Sequence, residues 1–449
     1  MKTKKRIILT IVSIISIAMI AIVIYWFSMP SGQRNMISFM VFNSDSYDSY
    51  EEYQVIDKNT ESIKPTGVEP VLAISGEDEN NVNIITSTQM LQNEESSMLK
   101  LGSVQTLTTE ENYTGWHVIA DEGASEEYPF GPSPLSYYTA GTAANLHTAI
   151  NNAAEVMGIE LDYVRVEVVN YFYWDDMFSS EGTGNLKNTN TQIIIESNST
   201  EEQMEELKIM AINAWTVGEA LRNKTPVEPS LKINGDDWAN YYTAPGTSLS
   251  NQSFMDDLMI SSITDEVIYP EFAELTIDTS ADEGFDIDSM SNLTFEIYAI
   301  SESANNPERP QLKEVTIGTP TGETWLIYSD EFMSNDDIPF APTSLEYFTV
   351  GTSLCLTSQT TLVNATMGLD IQNYRVEHQF FYSQSDLNSE NMNGSLDDVQ
   401  TYVFVESNES EDELEIFFNK SLSLCFAGEG LVNETEMNTS LYLNGNQLD

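Results

Sequence analysis

The sequence predicts an α+β chain made of two tandem copies of one unit, preceded by a single membrane-spanning helix. Three observations carry that expectation. Residues repeat at an offset of 210, each copy mixes period-two stretches with two helical runs, and one uncharged run of 21 residues lies near the N-terminus. At 449 residues the chain is too long for one average domain and comfortable for two.

The elements follow in order. Residues 1–6 carry Lys2, Lys4, Lys5 and Arg6, a basic flank that holds the N-terminus inside the membrane. Ile7 to Phe27 has no charge, spans roughly 30 Å as a helix, and ends in Tyr25, Trp26 and Phe27, an interfacial aromatic anchor. A signal-peptide core is shorter and ends near small residues, so an uncleaved signal anchor is expected, with the bulk of the chain outside the cytoplasm. Residues 28–77 and 237–287 are acidic and Ser/Asp-rich and read as linkers with room for one extra strand each.

Between and after the linkers lie the two copies, 78–236 and 288–446. YPFGPSPLSYYTAGTA (128–143) falls on IPFAPTSLEYFTVGTS (338–353). Without a gap, Met157-Gly158 then falls on Met367-Gly368, and Arg165-Val166-Glu167 on Arg375-Val376-Glu377. Chance does not hold such a register over a hundred residues, so the chain carries a tandem duplication. In each copy, alternating stretches (SVQTLT and GWHVIA; EVTIGT and TWLIYS) predict a short antiparallel sheet. A long apolar helix follows over 133–157 and 343–367, stopped by Gly158 and Gly368 as C-caps. Two strands come next, then a second helix opened by the capping signals at Ser199-Thr200 and Ser410, then a final strand.

Composition excludes several functions. There are 71 acidic against 18 basic residues, a net charge of −53, and after the apolar run 14 bases face all 71 acids. Nucleic acid and anionic lipid headgroups are poor partners for that surface, because phosphate contacts need clustered Lys and Arg. Self-repulsion of this size is relieved by salt screening, so a halophilic setting is expected. Two cysteines and three histidines without ligand spacing give no metal site, and no cofactor motif is present. The acidic pairs Asp265-Glu266, Asp282-Glu283 and Asp336-Asp337 lack the order of an EF-hand loop and read as solvated faces. His147 reads as a satisfied helix histidine.

GPSPLSYYTAGTAA (131–144) and APTSLEYFTVGTSLC (341–355) resemble the helix-opening motif of the OsmC/Ohr family, the osmotically induced and organic-hydroperoxide-resistance proteins. Family members are interlocked homodimers, so the resemblance implies that the two copies pair within the chain as a fused dimer. It also gives the cysteines roles. Cys355 stands eleven residues after Ser344, which replaces the motif's proline, and matches the family's peroxidatic position; the same count from Pro134 reaches Asn145. Cys425 matches the resolving cysteine of the second helix, and Trp215 occupies that place in copy 1.

As the resemblance implies, Cys355 would attack a hydroperoxide and become a sulfenic acid. Cys425 would then condense with it, and a dithiol reductant would reopen the bridge. The family pairs its thiolate with an Arg and a carboxylate. Arg309 is the one Arg of copy 2 upstream of its long helix, and Glu346 is the candidate carboxylate. Glu346 is nine residues before Cys355, about 900° of helix, and so is expected to face away from it. Arg375 has a twin at Arg165 in the cysteine-free copy and reads as structural. Two uses of the cysteine pair stand open from sequence: a thiol peroxidase, or a non-catalytic surface module stapled by a structural disulfide.

Overall fold

The computed structural model describes residues 55–58, 81–91, 98–107, 115–122, 130–234, 261–264, 293–319, 324–332, 338–385, 389 and 391–448. The first half runs β1 (Ile56–Lys58), β2 (Asn81–Met90), β3 (Lys100–Leu107), β4 (Trp116–Ala120), α1 (Pro134–Met157), β5 (Tyr163–Asp175) and β6 (Thr183–Glu196). It continues with α2 (Glu201–Ala214), α3 (Thr216–Arg222) and β7 (Val227–Ile233). The second half repeats that order as β8 (Ser261–Thr264), β9 (Thr294–Ser303), β10 (Lys313–Gly318), β11 (Thr324–Ser329), α4 (Ser344–Met367), β12 (Ile371–Ser385) and β13 (Asn393–Ser407). Then come α5 (Glu411–Ser423), α6 (Phe426–Val432), β14 (Glu436–Leu443) and a short β15 (Asn446–Leu448). The mixed α/β class is therefore as expected, and β1 and β8 are the extra strands for which the linkers left room. Among the described residues no helix is long and apolar enough to cross a membrane. The expected anchor, 7–27, and the three acidic pairs lie outside the described residues.

One expectation is corrected. The second helix of each copy is not continuous: it breaks at Trp215 and at Cys425, whose backbones leave helical geometry (ψ 86° and 103°) and cap the short helices α3 and α6. The apolar run around Cys425 contains no Pro to mark the break. The Cys425 sulfur takes the cap role itself, accepting the Gly428 amide at 3.4 Å.

The strands are exchanged between copies. A seven-stranded sheet runs β1-β4-β3-β2-β12-β13-β7, and an eight-stranded sheet runs β15-β14-β6-β5-β9-β10-β11-β8. Each takes three meander strands and the closing strand from one copy and the central hairpin from the other. The seams are antiparallel, β2 on β12 (Thr88 opposite Val376) and β5 on β9 (Val166 opposite Ser301). The closing strands add in parallel, β7 on β13 and β14 on β6. Either copy alone would present unpaired strand edges and a half-covered core.

α4 lies on the seven-stranded sheet, α1 on the eight-stranded sheet, and the two helices pack on each other. They cross closely at twin glycines. A Cβ on Gly141 would sit 2.4 Å from the Phe348 nitrogen, and one on Gly351 2.4 Å from the Tyr138 nitrogen, so neither position accepts a side chain without separating the helices. Beside the crossing, Tyr137 and Tyr347 stack with ring centres 5.9 Å apart. Their hydroxyls donate to the Ile119 and Tyr328 carbonyls at 2.7 and 2.6 Å. α4 is buried almost all round although rich in Ser and Thr. Its hydroxyls reach the carbonyl one turn back, as Thr349 does to Leu345 and Thr357 to Ser353, and both also meet a hydroxyl of the sheet, Tyr382 and Thr88 at 2.8 and 2.7 Å.

Candidate functional site: a buried thiol pair

Cys355 sits in the middle of α4, and Cys425 opens α6. The break after α5 turns the Cys425 side chain toward α4, so that its Sγ lies 3.5 Å from Cys355 Sγ. Both are free thiols, each 2 % exposed. Burial pushes the Cys355 thiol well above its ordinary value. The neighbouring Cys425 and the charge of Glu122 push the same way, while the Ala427 backbone N–H, directed at the sulfur, pulls it back. The sulfurs are within reach of a disulfide after a small approach of the two helices.

The surroundings of the pair come largely from copy 1, as the strand exchange requires. Glu122, just past β4, accepts from the Ser358 hydroxyl one turn after Cys355 and from Lys100 Nζ at 2.9 Å. Lys100 is fully buried and also donates to the Met98 carbonyl at 2.6 Å. From α1 comes Tyr138, fully buried, its ring 4.5 Å from that of Phe348 and edge-on to Phe172. A cluster of Phe172, Trp174, Phe295 and Phe426 adjoins it.

The twin position in copy 1 keeps the bonding pattern and loses the chemistry. Asn145 Oδ1 accepts the Val217 N–H at 3.0 Å, as Cys355 Sγ accepts that of Ala427, and its Nδ2 donates to the Ser344 hydroxyl at 3.2 Å. Trp215 fills the place of Cys425 and donates through Nε1 to the Thr142 carbonyl at 3.1 Å. A Cβ on Gly218 would meet the Trp215 ring at 2.3 Å, so the glycine there is fixed by the indole.

The two candidate partners from sequence are engaged elsewhere. Arg309 is buried on the eight-stranded sheet, which carries the cysteine-free helix α1. Its guanidinium pairs with Asp330, donates to the Glu331 carbonyl at 3.2 Å, and lies 4.6 Å over the Phe340 ring. Glu346 caps the start of α4: Oε2 accepts the Thr343 N–H at 2.9 Å, and Oε1 accepts from the Thr106 N–H and hydroxyl at 2.9 and 2.8 Å. It points to the seven-stranded sheet, as the helical count requires. Arg375 pairs with Glu377 at 3.0 Å as Arg165 does with Glu167, the structural role its repetition indicated. His147 meets the Ser301 hydroxyl at 3.0 Å and His378 that of Ser353 at 2.6 Å; burial lowers both to about 3 and keeps them neutral. Lys100, Glu122 and Tyr138 were not found by sequence reasoning. The first two belong to the other copy and carry no motif. Tyr138 left one readable signal, its opposition to Phe348 in the repeat.

No family model matches the sequence, and no curated protein matches it significantly. Among solved structures, the chain is similar to an OsmC-like hydroperoxide resistance protein from Jannaschia sp. CCS1, at 14% identity over 31% of this chain and 89% of that chain, with a TM-score of 0.23. The described architecture is that of a mixed α/β protein with two sheets and six helices.

Proposed function

We propose that this chain is an OsmC-like fused dimer with one working site, a dithiol that reduces hydroperoxides. The observation that carries the reading is the 3.5 Å approach of the chain's two cysteine sulfurs. In the first step a Cys355 S–O bond forms and the peroxide O–O bond breaks. The thiol's proton ends on the departing alkoxide, giving a sulfenic acid and an alcohol. Because burial holds Cys355 protonated, the step runs from the thiol with its own proton supplied to the leaving group. Cys425 then attacks the sulfenic sulfur, water leaves, and an external dithiol reduces the bridge with its own oxidation to a disulfide. Residues 7–27 anchor this unit at the outer face of a membrane in the same reading.

A second reading, a permanent structural bridge, draws on the burial of both sulfurs, since inert structural cysteines are typically buried. One experiment separates them. The full chain is purified in detergent at high salt, and its free thiols are counted before and after dithiothreitol. Dithiol-dependent consumption of cumene hydroperoxide is then measured with Cys355→Ser as control. Consumption abolished by the substitution supports the peroxidase. Consumption unchanged by it removes the peroxidase, and a bridge that resists mild reductant leaves the staple.

A further inference from the structure

Tyr138 is the feature of the thiol site that neither its packing nor the reaction above explains. Its hydroxyl is fully buried and has no hydrogen-bond partner among the described residues. An oxygen in that position destabilises the fold unless something binds it. The ring does not need the oxygen: the twin position holds Phe348, which packs face to face on Tyr138 across the helix crossing. The two copies therefore differ here by one hydroxyl. α1 carries it to the neighbourhood of Cys355 and Cys425, whereas α4 brings a bare phenyl to the copy that has no thiols. The hydroxyl faces α6, where a Cβ on Gly430 would come within 3.2 Å of it, and α6 is the helix that Cys425 opens. Both cysteines act electrostatically on the phenol, and burial holds it well above its ordinary value, so it keeps its proton and is available as a donor.

Resting on the thiol-peroxidase reading, we infer that the Tyr138 hydroxyl donates its hydrogen bond to the oxygen that leaves the peroxide when Cys355 is oxidised. The O–O bond breaks as the S–O bond forms, the electron pair goes to the proximal oxygen, and the phenol O–H supports that charge. The phenol passes its proton to the alkoxide and recovers one from the Cys355 thiol, so the sum remains thiol plus hydroperoxide to sulfenic acid plus alcohol. A peracid, whose carboxylate leaves without needing a proton, gains little from this donor.

The test uses the full chain in detergent at high salt, reduced, with Tyr138→Phe beside the unsubstituted protein and Cys355→Ser as blank. Oxidation of Cys355 is followed by sulfenate trapping with dimedone and mass spectrometry, using cumene hydroperoxide and peracetic acid. Iodoacetamide alkylation reports thiol access. The expected result is at least a ~10-fold slowing with cumene hydroperoxide, less than ~3-fold with peracetic acid, and an unchanged alkylation rate. The phenyl ring of the twin position shows that the fold accepts this replacement, and circular dichroism checks it. Equal slowing with both oxidants, or no slowing with either, overturns the inference while leaving the dithiol reading standing. An unsubstituted protein whose Cys355 reacts with neither oxidant overturns both.

Discussion

Oxidising the thiol pair is expected to raise the thermal stability of the whole chain in one step. The perturbation is removal of two hydrogens from Cys355 and Cys425, which lie 3.5 Å apart in space and 70 positions apart in sequence. Closing a loop of that length stabilises the fold by roughly 4 kcal/mol on the chain-entropy model. The closed loop holds β12 and β13 of the seven-stranded sheet and α5, which packs on α4, so local opening does not escape the constraint. Because the strands are exchanged, both copies are expected to melt together. The unfolding entropy of the two copies, about 320 residues, is then ~0.7 kcal/mol per kelvin, and the bridge shifts Tm by about 6 °C. The assay is differential scanning calorimetry in high salt on diamide-treated and phosphine-reduced samples, with intact mass confirming the loss of 2 Da. A treated sample that keeps two alkylatable thiols would refute the approach of the sulfurs. A bridged sample whose Tm does not move would refute the claim that both copies unfold as one unit.

Four further outcomes are expected. The raised Cys355 thiol makes iodoacetamide alkylation slow at neutral pH and pushes its rise beyond the ordinary thiol range. Glu122→Gln, which removes a charge opposing the thiolate, should speed alkylation at a fixed pH near 9, and a slower rate would contradict that electrostatic role. The sign for stability follows: the reduced protein keeps the contribution of its protonated Cys355 below about pH 8.5 and loses it as pH climbs toward the raised folded value, whereas the bridged protein shows no such loss in urea titrations. Gly141→Ala should cost about 1–3 kcal/mol by forcing α1 away from the Phe348 backbone, read as a lower Tm, and a neutral result would contradict the close crossing. A chain cut to residues 78–236 should be a homodimer in high salt by light scattering, because β2–β4 need the hairpin of a second copy; a folded monomer would contradict the strand exchange.

Much of this architecture was legible because the chain states it twice. The order of strands and helices, the C-caps Gly158 and Gly368, and the N-caps Thr200 and Ser410 follow from local pattern and capping chemistry. The orientation of Glu346 followed from 100° per residue alone. What stayed hidden was non-local. The break at Cys425 cannot be read from an apolar run without Pro, because tertiary packing sets it. Glu122, held by Lys100, reaches the Cys355 helix from the other copy, a proximity that the exchanged β2–β12 seam creates. The Tyr138–Phe348 difference was visible in the register, yet it acquires meaning only where space leaves the hydroxyl without a partner.

The divergence of the two copies follows a physical limit rather than simple decay. In both, the first amides of the short helix α3 or α6 point into the buried region under the long helix, and a buried N–H left without an acceptor is costly. Cys355 supplies that acceptor in one copy, and the equivalent position in the other needs a residue that also accepts. Asn145 does so through Oδ1, and its amide nitrogen finds the Ser344 hydroxyl at the start of α4, where the motif's proline would have offered none. At the second cysteine position the duty is dropped: Cys425 Sγ accepts the Gly428 amide at 3.4 Å, whereas Trp215 makes no side-chain cap bond and fills the volume, its single N–H on the Thr142 carbonyl. The functional asymmetry is concentrated at three positions of the repeat, 145/355, 215/425 and 138/348. The two cysteines supply the sulfurs, and the phenol at 138 interacts electrostatically with both from the opposite copy, across the helix crossing.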